Sequence, residues 1–232
     1  MGEKISWTIY AVNGLIAAII LLILGAKAAS GAKTRTPGKL QTAFEVMMDG
    51  LRGVFADAIG PGGLQYLPVV FTLFLYILFC NLLGLIPAFR SATSNAGTTI
   101  GLGLVVFLLV QYIGIKHNGV VGYFKHFLGP VLALAPLLLI IELVGEIAKP
   151  FSLGMRLYGN IYGEDIINEL LVNLGKHAFY IPLQLPVYFL QLFTSVIQAF
   201  IFAMLTCAYI NTFTSHSHED HGHGEEHIEI PA

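Results

Sequence analysis

The sequence is short of charge. Only 11% of its 232 residues are Asp, Glu, Lys or Arg, against about 25% in an average soluble domain. The deficit excludes an ordinary soluble surface, because 56% hydrophobic residues exceed what one domain of this length can bury, and lipid must cover the rest. A net charge of −2 removes the electrostatic case for nucleic acid. Cysteine is also scarce. Cys80 and Cys207 both lie in apolar runs, which gives neither a disulfide framework nor a metal-binding spacing and reads as two small buried hydrophobes. No phosphate-cradling glycine loop or other nucleotide motif is present, so the chain does not itself make or break a nucleotide. No internal repeat is evident, and no cofactor is expected.

What the chain has is membrane-scale apolar length. Five segments emerge, at about 8–29, 66–87, 97–115, 131–174 and 181–213, where a span needs about 20 residues. The last two are too long for a perpendicular crossing and predict tilted helices. The first reads as a permanent span, not a cleaved signal, because Glu3 precedes Lys4 and no small-residue cleavage site leads into a polar start. Residues 38–59 carry Leu40, Phe44, Met47, Leu51, Val54, Phe55 and Ala58 at helical spacing, interrupted by Glu45, Asp49, Arg52 and Asp57. Such a segment lies in the interface and does not cross. The expected fold is therefore all-α and polytopic, with about five membrane helices, one interfacial amphipathic helix and two long tilted helices at the C-terminal end. Residues 1–214 form one membrane domain.

Basic residues set the orientation. Lys27, Lys33, Arg35 and Lys39 follow the first span, and Lys116, His117, Lys125 and His126 follow the third. Both loops are expected on the cytoplasmic side, which places the N-terminus outside and the C-terminus inside. Arg90 and Lys176 are minor exceptions on the outer side. Residues 215–232 read as a solvated cytoplasmic tail rich in histidine and acid. Its His216, His218, His221, His223 and His227 form the only candidate metal ligands, for Ni or Zn, and this is the weaker of the two readings.

The chemistry is concentrated in the fourth segment. Glu142, Glu146, Lys149, Arg156, Asn160 and Glu164 are separated by steps of 4, 3, 7, 4 and 4, which holds them within about 40° of one line on a helix. The stripe is about 33 Å long at about 1.5 Å per residue, close to the thickness of the hydrocarbon layer. A central membrane charge costs about 2.5–3.5 kcal/mol on insertion scales, so the stripe faces protein or water. Helix-to-helix ion pairs such as Glu146 with Lys149 are the plainer reading of individual members. They leave Arg156 unexplained, because its stripe neighbours Leu153 and Asn160 offer no acid, and they point to a carboxylate partner on another chain. In the fifth segment Gln184, Gln191 and Gln198 recur at sevens, with Thr194 and Ser195 beside them. They read as lining for a water file or as glue to the fourth helix.

The stretch SLGMRLYGN at 152–160, preceded by Lys149-Pro150 and followed by Gln198-Ala199-Phe200 in the last span, resembles the a subunit of the rotary F-type ATP synthase. PGKLQ at the start of the interfacial helix and the run from Asn81 to Pro87 extend the resemblance over nearly the whole chain. It implies an ion-conducting stator in a bacterial plasma membrane, most simply for protons, with a c-subunit ring, the peripheral-stalk b subunits and the lipid bilayer as partners. By position Arg156 is the family's essential arginine, facing the ring carboxylates and blocking a shunt. The resemblance places Asn160, the acid at 164–165, Gln191 and Gln198 in an outer half-channel. It places Glu142 and Lys149 toward a cytoplasmic half-channel, to which the stripe adds Glu146. Two positions depart from the family pattern. The acid nine residues after the arginine is Asp165, where glutamate is frequent, and Gln191 stands where some members have histidine, so no titrating histidine relay is expected there. The alternative from another class is a stand-alone secondary transporter or channel with a charged midplane site. Such a protein should supply its own acid for Arg156 and often an internal repeat.

Overall fold

A computed structural model describes residues 2–31, 39–86, 89, 91–128, 135–177 and 185–214. The histidine-rich tail, Lys33, Arg35, Arg90, Gln184 and the outermost residues of the expected segments at 131–134 and 181–184 lie outside the described residues. Every element is helical, and no strand occurs among the described residues. The helices are α1 (Gly2–Gly31), α2 (Lys39–Ile59), α3 (Leu67–Gly84), α4 (Ala96–Leu128), α5 (Ala135–His177) and α6 (Leu185–Thr214). Short 3-10 turns at Pro61–Tyr66 and Ala92–Ser94 precede α3 and α4.

Among the described residues, four segments are long and apolar enough to cross a membrane: Thr8–Lys27, Pro61–Gly84, Ala96–Gly119 and Leu185–Thr214. They correspond to four of the five expected spans. The fifth, α5, has the length at 43 residues but carries too many charges to qualify by composition. At about 1.5 Å per residue it is about 65 Å long, roughly twice the hydrocarbon thickness, which requires strong tilt or a course along the membrane. The large apolar residues left exposed on α1, α4, α5 and α6, among them Leu15, Leu22, Leu108, Ile140, Leu170 and Phe189, form faces that suit lipid or a neighbouring helix and not water.

The core is built around α6. Phe202, Ala203, Cys207, Ile210 and Phe213 are fully or almost fully buried against Val70, Phe71, Phe74 and Ile77 of α3, Val106, Val110 and Ile113 of α4, and Leu153, Leu157 and Ile161 of α5. The amphipathic helix α2 joins this core through Phe55 and Ile59. The Phe55 ring meets Phe71 edge-on at 5.2 Å and stacks on Phe200 at 5.8 Å, the geometries that aromatic quadrupoles favour. Its opposite face, with Glu45, Asp49, Arg52 and Asp57, is exposed.

Helices α4 and α5 meet backbone to backbone. A Cβ added to Gly103 would lie 2.6 Å from the Pro150 carbonyl oxygen, and one added to Gly154 would lie 2.9 Å from the Thr99 carbonyl oxygen. Small residues at such crossings give membrane helices the close van der Waals contact that a hydrophobic drive cannot supply in lipid. Helix α4 also runs beyond the 97–115 read from hydropathy. Gly119, at φ 66° and ψ 167°, breaks it and turns its last residues in a new direction; glycine takes that backbone region without steric cost.

Candidate functional site

Arg156 lies midway along α5, on a face that α4 and α6 leave open. Leu153 and Leu157 beside it are buried, whereas Met155, Arg156 and Gly159 are exposed. No carboxylate among the described residues pairs with its guanidinium. A permanently charged group with five donors thus stands without a counter-charge among the described residues, on an exposed surface where Ile147, Phe151 and Met155 mix with Ser152 and Asn160.

On the C-terminal side of Arg156, α5 and α6 face each other through polar side chains. Asn160 donates to the Gln198 Oε1 at 2.9 Å. One turn on, Glu164 takes the Thr194 hydroxyl as its partner. Gln191 donates to Asp165 at 3.4 Å. The antiparallel course of the two helices explains this order, since each step up α5 meets a step down α6. The helix brings both acids to α6, so Asp165 shares the Glu164 side of the helix without sharing the Arg156 line. Five buried polar atoms here have no protein partner among the described residues: Glu164 Oε2, Asn168 Oδ1, Gln191 Oε1, Ser195 Oγ and Gln198 Nε2. Buried polar groups left unbonded by protein are costly unless water bonds them. From Arg156 to Asn168 the row extends about 18 Å along the helix, roughly half the hydrocarbon thickness.

On the N-terminal side, the polar groups turn to α4. Glu146, 3% exposed, accepts from Lys149 on its own helix and from the Gln111 amide of α4 at 2.8 Å. The Tyr123 hydroxyl donates to Gln111 Oε1. Burial first, and then the Glu146 charge, raise the Tyr123 phenol above its usual range, so it remains a donor. The Lys149 ammonium lies 5.6 Å above the Tyr209 ring of α6, a cation–π distance. Glu142 stands apart from this cluster, half-buried and without a bonding partner among the described residues.

The expected site residues therefore fall into two clusters on either side of Arg156, with the buried Leu153 and Leu157 between them. Reading the sequence missed Asn168, Gln111, Tyr123 and Tyr209. Asn168 was within reach, since it lies one further step of four beyond Glu164. Gln111 and Tyr123 carry no local signal, because their meeting depends on the break at Gly119. Also missed was a buried polar knot. Thr93 donates to Asn81 at 2.6 Å, Ser91 bonds Thr93 and the Cys80 carbonyl, and Asn81 reaches the Ser195 carbonyl at 3.4 Å.

The ATP synthase A chain family model matches residues 11–211. A subunit designated ATP synthase subunit a in Desulforamulus reducens is 39% identical over 227 residues, covering 95% of this chain and 84% of its own length. The ATP synthase subunit a 3 of Pelobacter propionicus is 38% identical over 200 residues (86% and 85%). The subunit a of Oleidesulfovibrio alaskensis is 43% identical over 182 residues (78% and 76%). With a family match over most of its length and relatives covered over three quarters or more of their own length, this chain belongs to the ATP synthase A chain family, the a subunits of F-type ATP synthases.

Proposed function

We propose that the chain carries protons across the membrane through two half-channels that meet a rotating c ring at Arg156, coupling the gradient to ATP synthesis. Membership of the family supports proton translocation within an ATP synthase in general. The two offset routes, the ring contact, the contact with peripheral-stalk b subunits and the outside-to-cytoplasm orientation are the finer parts of the reading. In it, residues 1–214 form the membrane unit of a bacterial plasma-membrane enzyme whose nucleotide chemistry lies on other subunits.

The observation that carries the reading is the exposed Arg156, with no acid paired to it among the described residues, between two separate polar clusters. A protonated carboxyl group tolerates lipid and an ionised one does not. A ring carboxylate must therefore discharge its proton only where a cation and water receive the charge. Arg156 supplies the cation and holds its own proton, with a pKa above about 12, so it pairs with the ionised ring group without relaying protons across the gap. Asn160, Glu164, Asp165, Gln191 and Gln198, with the unbonded polar atoms on Glu164, Gln191 and Gln198, suit a hydrated inlet on one side. Glu146 and Lys149, with Glu142 toward the end of the stripe, suit an outlet on the other. Leu153 and Leu157 separate the two and oppose a continuous water file.

Replacing Arg156 by Ala in the whole enzyme tests the reading. Proton-driven ATP synthesis in membranes should be abolished while the complex assembles. Normal synthesis by an assembled R156A enzyme would sink the proposal.

A further inference from the structure

We propose that Tyr123 and Gln111 of α4 are positioning residues for proton exit: through their hydrogen bonds they hold Glu146 where it fixes Lys149 against Tyr209, on the approach to Arg156. The inference rests on the reading of Glu146 and Lys149 as the cytoplasmic outlet, and extends it to a second helix.

The geometry is specific. Tyr123 and Gln111 are 12 residues apart, about 18 Å along an unbroken helix, beyond the reach of a tyrosine side chain. Their contact exists because Gly119 reverses the end of α4. The Tyr123 ring then fits over Gly114, where an added Cβ would lie 3.2 Å from Tyr123 Cδ2 and 3.1 Å from Phe213 Cδ1. It stacks on Phe213 of α6 at 5.7 Å between centroids and 26° between planes. Asn118, just before the break, donates to the Phe213 carbonyl at 2.9 Å and fixes the start of the turn. The hydroxyl is thereby presented to Gln111 Oε1.

That bond has a chemical consequence. A glutamine amide can face a neighbour with oxygen or with nitrogen. With its oxygen taken by Tyr123, Gln111 must offer its N–H to Glu146. The carboxylate then has two donors, Gln111 on one oxygen and Lys149 on the other, and its lone pairs are aimed across the α4–α5 seam. Lys149 is in turn held over Tyr209, which feels the charges of Lys149, Arg156 and Glu146. The titratable groups around Glu146 are Lys149 and, one turn away, Glu142 on α5, Tyr123 on α4 and Tyr209 on α6. Losing the Tyr123 hydroxyl frees the amide to turn its oxygen toward the carboxylate, which takes away one of the two donors on Glu146 and loosens Lys149.

The test uses the whole enzyme in inverted vesicles, with Y123F, Q111M, E146Q and the Y123F/E146Q pair, and Y112F as a control at an exposed position of α4. Y123F keeps the ring stack and removes only the hydroxyl. It should lower proton-driven synthesis about three- to tenfold, the range for one hydrogen bond. Assembly should stay normal. The midpoint of the rate against cytoplasmic pH should move while the dependence on outer pH does not. The paired variant should be no worse than E146Q, because both changes act through one carboxylate. Wild-type rates and pH profiles in assembled Y123F and Q111M, or losses that multiply in the paired variant, would overturn the inference. If E146Q is defective while Y123F and Q111M are normal, the inference alone fails; a normal E146Q removes the outlet reading and the inference together. Should Y123F not assemble, Q111M carries the same expectations without disturbing the stack on Phe213.

Discussion

At Arg156, the nature of the cation matters as much as its presence. An ammonium is a compact point charge that loses its proton readily when desolvated, whereas a guanidinium offers a planar fork that stays charged. Arg156→Lys is therefore expected to lose proton-driven synthesis almost as completely as Arg156→Ala. Rates near wild type in assembled membranes would show that any positive charge suffices. Eight residues further on, the acids Glu164 and Asp165 divide between two roles. Glu164 keeps one oxygen unbonded by protein in a buried position and bonds Thr194 with its carboxylate, whereas Asp165 takes the Gln191 amide. Glu164→Gln should thus lower both synthesis and the passive leak after removal of the soluble head. Asp165→Asn should act more weakly on flux and more on the α5–α6 seam. Flux blocked by Asp165→Asn alone would reverse the assignment. Much of this site was legible, because steps of three, four and seven survive the passage from sequence to helix face. What was not legible needed a partner helix. Gln191 and Gln198 could be placed on one face but not against Asp165 and Asn160, and Gln111 looked like any polar residue in a span.

Among the elements, hydropathy found α1, α3, α4 and α6 and placed α2 in the interface, since composition alone separates a span from an amphipathic strip. It failed at the end of α4. The run ends near Ile115, but the helix continues to Asn118 and resumes after Gly119 because polar residues such as Lys116 and His117 extend a helix without crossing lipid. The crossing of α4 and α5 was also invisible, since a glycine inside an apolar run does not announce what approaches it. Gly103 and Gly154 let the two backbones touch, which sets the seam that Gln111 and Glu146 share. Gly154→Ala places a Cβ 2.9 Å from the Thr99 carbonyl oxygen and 3.0 Å from the Ile100 Cα, against backbone that cannot swing aside. Overpacking of this kind typically costs about 1–3 kcal/mol. The expected outcome is a lower melting temperature of the detergent-solubilised complex and a parallel loss of proton flux. An unchanged melt would mean that the helices separate at no cost.

For the whole molecule, the open question is whether α5 crosses. Among the described residues, four helices qualify as spans by length and apolarity, and four crossings return both chain ends to one side of the membrane. A crossing α5 makes five and puts the ends on opposite sides, while the basic residues after α1 and α4 put those two loops on the cytoplasmic side with either count. The charges that disqualify α5 by composition argue for the crossing in this context. Glu146, Lys149, Asn160, Glu164 and Asp165 all find partners on α4, α5 or α6, so these polar groups are not left to lipid unpaired, and a ring carboxylate is the partner proposed for Arg156. Ionisable groups inside a membrane are tolerated when they face protein or a hydrated cavity. Single cysteines introduced at Lys4 and Ser217 decide the matter with a membrane-impermeant maleimide. The native thiols will not interfere, because Cys80 and Cys207 are 1% and 0% exposed within the helix bundle. Ser217→Cys should be labelled only in inverted vesicles, where the cytoplasmic face is outward, and Lys4→Cys only in right-side-out vesicles. Labelling of both from one side would leave an even number of crossings. It would lay α5 in the interface, and both half-channels would then lose the helix that is proposed to line them.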